Sequence, residues 1–374
     1  MKIEAKRNLN IRQGPDLSSA RVGVLLAGHQ VEVEGATTGQ NIQGNSLWYV
    51  DRNRNYYWGG GARPVGTIDT ILHESQPAPP APARFAWFDM LKINEIWDTY
   101  GERGQGATIA VLDTGYNATV PEIVNAIGSS KIILTPEAYP GIPLVEEDQS
   151  NVGHGSRCLS LAGARANGRF SLGVAPESKL LSAKISINRE IRNFDFILQG
   201  IQWAIGAGAD IISISYAAEL SDADKSLWEA KYLDIIKDKN VLIFAAAGNA
   251  GSTQLPGERY PASFNQCISV GAVDLSGNWS PITILSNKTV LHAPGIDIES
   301  IGKSPTPDVQ SGTSYAAPII AGIAGLAVAY LKRTKGSWNA VDLHHKLQVS
   351  ATVIGNQPTK KLVNGIELFK QIAI

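Results

Sequence analysis

Cysteine is scarce: Cys158 and Cys267 are the only two in 374 residues. That excludes a disulfide-stapled scaffold and makes a reduced compartment the simplest setting. Neither sign of charge is in excess, because 33 Lys and Arg stand against 34 Asp and Glu for a formal net charge of -1. There is thus no electrostatic case for nucleic acid or an anionic membrane as a partner. The opening MKIEAKRNLN has no apolar h-region, and IIAGIAGLAVAYL reads as too short to span a bilayer. A cytoplasmic protein without a membrane partner is expected. No internal repeat is evident. What the chain has in quantity is core material, with 44% hydrophobic and 18% charged residues over a length that suits two domains.

Three regions follow from composition and periodicity. Residues 1–71 read as a small β domain, in which alternating stretches such as VGVL and QVEV are separated by the turn-rich QGPDLSS and ATTGQ. Residues 72–84, containing HESQPAPPAPAR, are a proline-alanine linker, semi-rigid and extended, so the flanking domains should fold separately. Residues 85–374 alternate helices and strands. FDMLKINEIWDTY is amphipathic, with Phe88, Leu91, Ile96 and Trp97 on one face, and ATIAVLDTG is an apolar strand ending in a turn. KLLSAKI, DIISISYA, NVLIFAAAGN and CISVGAV repeat the strand form, with FDFILQGIQWAIGAG and SLWEAKYLDIIKDK as helices between them. This alternation predicts an α/β fold with a doubly wound, mostly parallel sheet. Such sheets bind ligands outside the carboxyl ends of their strands.

Chemistry-bearing residues fall at those ends. SGTSYAAP, residues 311–318, runs into an apolar stretch that reads as a buried helix on every face. Pro318 lies near its start, where a missing N–H costs little. Ser314 then stands at the positive end of that helix, where a serine oxygen becomes a nucleophile if a base reaches it. Asp113 ends ATIAVLD, His154 opens a small-residue helix in GHGSRCLSLAGA, and Asn249 ends VLIFAAAGN. Taken singly these are a turn aspartate, a core histidine, a turn asparagine and a serine cap.

Together, DTG, HGS, AAAGN and SGTSYAAP resemble the subtilisin-like serine peptidases, the subtilases, in the family's order of acid, base and nucleophile. GVAPESKLLSAKI, YPASFNQCISVGAV and HAPG extend the likeness over nearly all of residues 85–374. The resemblance implies a serine endopeptidase in which Ser314 attacks, His154 moves the proton, Asp113 fixes the imidazole and Asn249 holds the oxyanion. It implies a peptide or protein substrate and no required cofactor. The competing reading is a non-catalytic binding or scaffold protein on the same fold. Arg157 stands where the family usually has a second histidine, and a cation there would disfavour the imidazolium. Cys158 matches the packing cysteine behind the catalytic histidine in the proteinase K-like subset.

The resemblance also assigns the walls of the pocket for the residue before the cut (P1). They are Ser215, Tyr216 and Ala217 on one strip, and Ala246, Ala247 and Gly248 on the other. Arg259 takes a floor position where relatives commonly have glycine, which predicts acceptance of an acidic P1 side chain. Glu122 stands where many relatives carry an aspartate calcium ligand, and Asn167 lies in a loop of the family's calcium-binding length, so the two are candidate Ca²⁺ ligands. LNIRQGPDLSSARVGVLLAGHQVEV, LWYV and YYWGGGARP resemble the bacterial SH3-like (SH3b) barrel. That likeness implies a protein or peptidoglycan ligand, with Trp48, Tyr49, Tyr56, Tyr57 and Trp58 as its candidate aromatics.

Overall fold

The short alternating stretches of the first 65 residues form antiparallel strands because each has one apolar face to bury. In the computed structural model, which describes residues 2–53, 55–65, 85–165, 173–188, 190–250, 257–284, 286–304 and 306–374, the chain divides into two compact units, Met1–Ala78 and Pro79–Ile374. The expected linker, residues 72–84, lies outside the described residues. In the first unit β1 (Lys2–Ala5), β2 (Leu9–Arg12), β3 (Arg21–Leu25), β4 (Gln30–Glu32), β5 (Gly35–Ile42), β6 (Asn45–Val50), β7 (Tyr56–Trp58) and β8 (Ala62–Val65) make two antiparallel sheets. Their orders are β4-β1-β8 and β3-β2-β7-β6-β5.

Trp48, Tyr49, Tyr57 and Trp58 are buried in the core of this unit with Ile3, Leu9 and Val33, and Tyr56 is half-buried. Three of their polar tips are satisfied internally. Trp48 Nε1 donates to the Gln40 carbonyl (3.1 Å), Trp58 Nε1 to the Asn45 carbonyl (3.0 Å), and the Tyr57 hydroxyl to Asp51 (2.8 Å). The aromatics expected to face a ligand are therefore chiefly core. A unit this small has few other large apolar side chains to bury.

The second unit opens with α1 (Ala86–Met90) and α2 (Ile93–Tyr100), then β9 (Thr108–Asp113), α3 (Pro121–Val124), β10 (Ile127–Ile132) and α4 (His154–Gly163). There follow β11 (Lys179–Lys184), α5 (Asp195–Gly206), β12 (Ile211–Ile214), α6 (Asp222–Ile236), β13 (Leu242–Ala246), β14 (Cys267–Val273) and β15 (Thr289–Pro294). The chain closes with a hairpin of β16 (Ile298–Ser300) and β17 (Asp308–Gln310), then α7 (Thr313–Lys335), α8 (Ala340–Ser350), β18 (Thr352–Ile354), β19 (Gln357–Leu362) and α9 (Gly365–Ile372). Nine strands form one sheet in the order β10-β11-β9-β12-β13-β14-β15-β19-β18, parallel except for β18 against β19.

The central strands are mostly apolar because both of their faces are covered. Ile109, Val111, Ile211, Phe244 and Val270 pack with α4 and α7 in one core, while Ala110, Leu112, Ile212, Ile214 and Ala245 pack with α5 and α6 in the other. The expected single helix FDMLKINEIWDTY is broken, because Lys92 takes a left-handed φ of 53° between α1 and α2. Phe88, Leu91, Ile96 and Trp97 are nevertheless all buried, as the pattern requires. Helix α7 is longer than the apolar run suggested. Its 23 residues are long and apolar enough to cross a bilayer, but 94% of its 18-residue apolar stretch is buried inside the protein, where it forms the spine of the unit.

Candidate active site

Strand ends and helix starts converge on the carboxyl edge of the sheet. Asp113 is the last residue of β9, while Ser215 and Asn249 lie just beyond β12 and β13. His154 is the first residue of α4, and Ser314 the second of α7. The glycines around His154 are sterically required. Gly153, the residue before α4, has φ 67°, and a Cβ on it would come within 2.4 Å of the Lys303 backbone nitrogen. A Cβ on Gly155 would reach 2.3 Å from the Gly115 carbonyl oxygen, so α4 could not approach the DTG turn.

The His154 ring is buried and its Nδ1 lies 2.8 Å from Asp113 Oδ1. That contact places the proton on Nδ1 and leaves Nε2 as the basic nitrogen. Asp113 Oδ1 also accepts from the Thr114 N–H (2.8 Å), and the Thr114 hydroxyl lies 3.2 Å from it. Behind this pair sits a buried carboxylate that no motif or periodicity signalled. Asp148 accepts from the Thr114 hydroxyl (2.8 Å), from Ser150 (N–H 3.1 Å, Oγ 2.7 Å) and from Ser156 (N–H and Oγ, both 2.8 Å). Ser150 Oγ in turn accepts the His154 N–H at 2.6 Å. One carboxylate thus occupies the positive end of α4 and ties that helix to the Asp113 turn.

Around Ser314 the chain is as tightly specified. A Cβ added at Gly312 would fall 3.0 Å from Ser314 Oγ and 3.2 Å from Asn249 Nδ2, so the hydroxyl and the amide converge on the space that glycine leaves open. The amide is oriented by Thr313, whose N–H and hydroxyl both donate to Asn249 Oδ1 at 2.9 Å, leaving Nδ2 to face Gly312. Pro318 is the sixth helical residue, deeper than the sequence suggested, and it removes the N–H that would have bonded the Ser314 carbonyl. That carbonyl is taken instead by the Ser215 hydroxyl (2.7 Å) and the Cys158 thiol (3.4 Å). Cys158 also lies 4.0 Å from His154 Nδ1, which links the two helix starts. Burial, and then the Asp113 charge, push its thiol well above the usual range, so it is packing and not a second nucleophile. A small cavity beside the acid-histidine pair is lined by Leu112, Ile185, Ser186, Ser215 and Tyr216.

Arg157 does not face the histidine as expected. Its guanidinium pairs with Asp308 and donates to the carbonyls of Val152 (2.8 Å), Ser300 (3.3 Å) and Asp308 (3.2 Å), pinning α4 to the β16–β17 hairpin. Arg259 lies beside the two strips expected to wall the P1 pocket. A Cβ on Gly248 would meet Arg259 Cγ at 2.9 Å and Ala217 Cβ at 3.3 Å, so the arginine stem runs where the strips approach. Ala247 continues the second strip, its N–H donating to the Val270 carbonyl at 2.9 Å.

Asn167 lies outside the described residues. Glu122 is on α3, and its carbonyl accepts the Arg165 N–H at 2.8 Å. The Arg165 guanidinium donates to the carbonyls of Asn125 and Pro176, oxygens of the kind a hard cation would need. Among the described residues, Glu122 belongs to no cluster of three or more His, Cys, Asp or Glu ligand atoms. The acid, histidine and cysteine atoms that do cluster belong to Asp113, His154 and Cys158, within 4.8 Å of one another, and a soft cation bound there would sequester the base.

A carboxylate-histidine pair next to a serine at a helix start, on the carboxyl edge of a parallel sheet, is the arrangement of a serine hydrolase. The chain belongs to the subtilase family, whose model matches residues 104–368, and a bacterial SH3 domain model matches residues 7–50. It is 32% identical over 72% of its length to an intracellular serine protease of Paenibacillus polymyxa, covering 81% of that protein. Thermitase of Thermoactinomyces vulgaris is 30% identical over 63% of the chain and 79% of the relative. M-protease of Shouchella clausii is 29% identical over 68% of the chain, and the matched region spans 62% of that relative's length, under two thirds.

Proposed function

We propose that this protein is a serine endopeptidase that cleaves peptide or protein substrates through an acyl-enzyme. His154 Nε2 takes the Ser314 proton as Oγ attacks the scissile carbonyl, Asp113 steadies the imidazolium, and the proton then passes to the leaving amine. The Asn249 amide and the Ser314 backbone N–H hold the oxyanion. Water repeats the sequence to release the acyl group. The observation that carries this reading is the Asp113–His154 bond of 2.8 Å, joined through Cys158 to the serine whose hydroxyl converges with the Asn249 amide. No residue in the scheme requires a cofactor, so turnover after EDTA treatment and gel filtration should be unchanged.

The deciding experiment is labelling with a fluorophosphonate probe. Folded protein should be labelled at Ser314 and the Ser314→Ala variant should not; absence of labelling in folded wild type would refute an active enzyme.

The P1 pocket is read as taking Asp or Glu. Its walls are Ser215, Tyr216, Ala217, Ala247 and Gly248, Arg259 supplies the cation, and Ala217 and Ala218 narrow the cleft. Matched peptides should be cut faster after Glu than after Leu or Phe, and Arg259→Gly should reverse that order. The unit boundary is placed in residues 72–84, and the SH3-like unit is assigned a protein or peptidoglycan ligand, tested by co-sedimentation with purified peptidoglycan. A cytoplasmic location completes the reading, on the match to a relative named as intracellular; cell fractionation checks it.

A further inference from the structure

Arg259 is not a bare cation waiting for substrate. Its guanidinium is ion-paired with Glu219, and its Nη1 donates to the Glu258 carbonyl at 3.1 Å. The pair is built into the backbone, because Ala218 and Tyr260 form an antiparallel bridge, with N–H to carbonyl bonds of 3.0 and 2.8 Å. Residues 219 and 259 are the next across it. The two partners differ sharply in exposure. The Arg259 side chain is 19% exposed, whereas that of Glu219 is 76% exposed. The neighbouring acid, Glu258, is engaged elsewhere, since its carboxylate accepts the Tyr260 hydroxyl at 2.5 Å. Glu219 is thus the acid that meets the arginine, and it does so from the solvent side.

We propose that Glu219 is an internal stand-in for the acidic P1 side chain, occupying Arg259 in the free enzyme and yielding it when a substrate carboxylate arrives. The inference rests on the acidic-P1 reading given above. A half-buried arginine left unpaired would be costly, so the free enzyme needs a counter-ion. An exposed carboxylate is a weak one, because water replaces its contacts when it leaves. The substrate carboxylate would arrive in a cleft that substrate itself dries, and there it binds more strongly than Glu219. Glu219 would then set selectivity in two ways. It lowers affinity for acidic P1 residues by competing for the arginine. It also permits apolar ones, by keeping Arg259 neutralised when they bind.

The test uses the full chain with succinyl-Ala-Ala-Pro-Glu-, -Leu- and -Lys-p-nitroanilides as probes. Glu219→Gln and Glu219→Ala should each raise the ratio of kcat/KM for Glu over Leu, by up to about fivefold, the range that an exposed ion pair spans. Agreement between the two variants would show that charge, not side-chain length, is responsible. If wild type prefers Glu and neither variant changes the ratio, Glu219 does not compete and the proposal fails while the acidic-P1 reading stands. If wild type prefers Leu and Arg259→Gly does not alter this, the acidic-P1 reading fails and the proposal falls with it. If Lys is preferred and Glu219→Gln abolishes that preference, Glu219 reads the substrate directly, which also overturns the proposal.

Discussion

Thr313 does two things for the proposed oxyanion amide. Its N–H and hydroxyl both bond Asn249 Oδ1, and its hydroxyl also accepts the Gly248 N–H at 3.2 Å. Thr313→Val keeps the shape and one of the two bonds to Asn249, so the amide should stay in place but lose its fixed aim. We expect kcat to fall about 3–10-fold with KM unchanged, because the amide serves the transition state and not the ground state. That is well short of the roughly 10²–10³-fold loss on removing the corresponding donor in subtilisin, a figure measured on a relative. Steady-state kinetics on one short peptide decides it; a raised KM at constant kcat would contradict it. His292 offers a second prediction at this scale. It is fully buried on β15, with Nδ1 donating to the Val290 carbonyl at 3.1 Å and Nε2 without a hydrogen-bond partner among the described residues, and burial pushes its pKa down to about 4. The unfolded chain takes up this proton near pH 6.5 while the folded protein resists until about pH 4. Stability is therefore fully present above pH 6.5 and declines as pH falls toward 4, by on the order of 3 kcal/mol from this group. His292→Asn, which retains a donor for Val290, should flatten that acid limb in urea titrations at pH 7, 5.5 and 4. An unchanged slope would remove His292 as the cause.

Among the elements, α7 shows most clearly how the fold makes the site. Its proline frees the Ser314 carbonyl, and Ser215, beyond β12, claims it at 2.7 Å. If that exchange is the reason Pro318 is tolerated, the two positions are coupled. Ser215→Ala alone should cost about 1 kcal/mol and lower kcat, since the carbonyl of the nucleophile loses its hydroxyl partner. In a Pro318→Ala background the restored N–H can bond that carbonyl, and the same substitution should cost close to nothing. A double-mutant cycle reads the difference directly, and additivity of the two changes would show that the proline and the serine are independent. The sequence revealed the elements that lie in the middle of the sheet, because β9, β11, β12, β13 and β14 are buried on both faces and are therefore mostly apolar. It did not reveal β10 (IGSSKI) or β19 (QPTKKL), which lie toward the margins and carry the Ser, Pro and Lys residues that keep exposed strands from pairing further. The candidate positions Asp113 and Ser314 stood out because each ends or opens an apolar run, and His154 because it opens a small-residue helix. Asp148 did not, because its work is done by bonds from three hydroxyls and two N–H groups, on residues whose spacing leaves no periodicity.

For the whole molecule, the question is where one folding unit stops and the other begins. Each has its own core, Ile3, Trp48 and Trp58 in the first and the two layers about the parallel sheet in the second. The proposed boundary gives Phe85 and α1 to the second unit, and the packing there is specific. Phe85, Trp87 and Phe88 are at most 4% exposed, Trp87 and Phe88 meet edge to face at 5.3 Å, and Phe88 meets Trp97 at 5.1 Å. Trp87 Nε1 also donates to the Glu299 carbonyl at 3.1 Å, which ties α1 to β16. Truncating a buried Phe or Trp costs about 3–5 kcal/mol, and a domain's whole stability is about 5–15 kcal/mol. A chain starting at Phe85 should therefore melt cooperatively and cleave short peptides within about twofold of full length. A chain starting at Lys92 loses Phe85, Trp87 and Phe88 together, a deficit as large as the total, and should not fold at 25 °C. Circular dichroism melts and peptide turnover of the two truncations test the boundary from both sides. If the chain starting at Phe85 fails to fold, residues 1–84 are part of the peptidase unit's folding and not a separable module. If instead it folds and cuts short peptides normally but has a raised KM for a protein substrate, the SH3-like unit acts by recruiting that substrate.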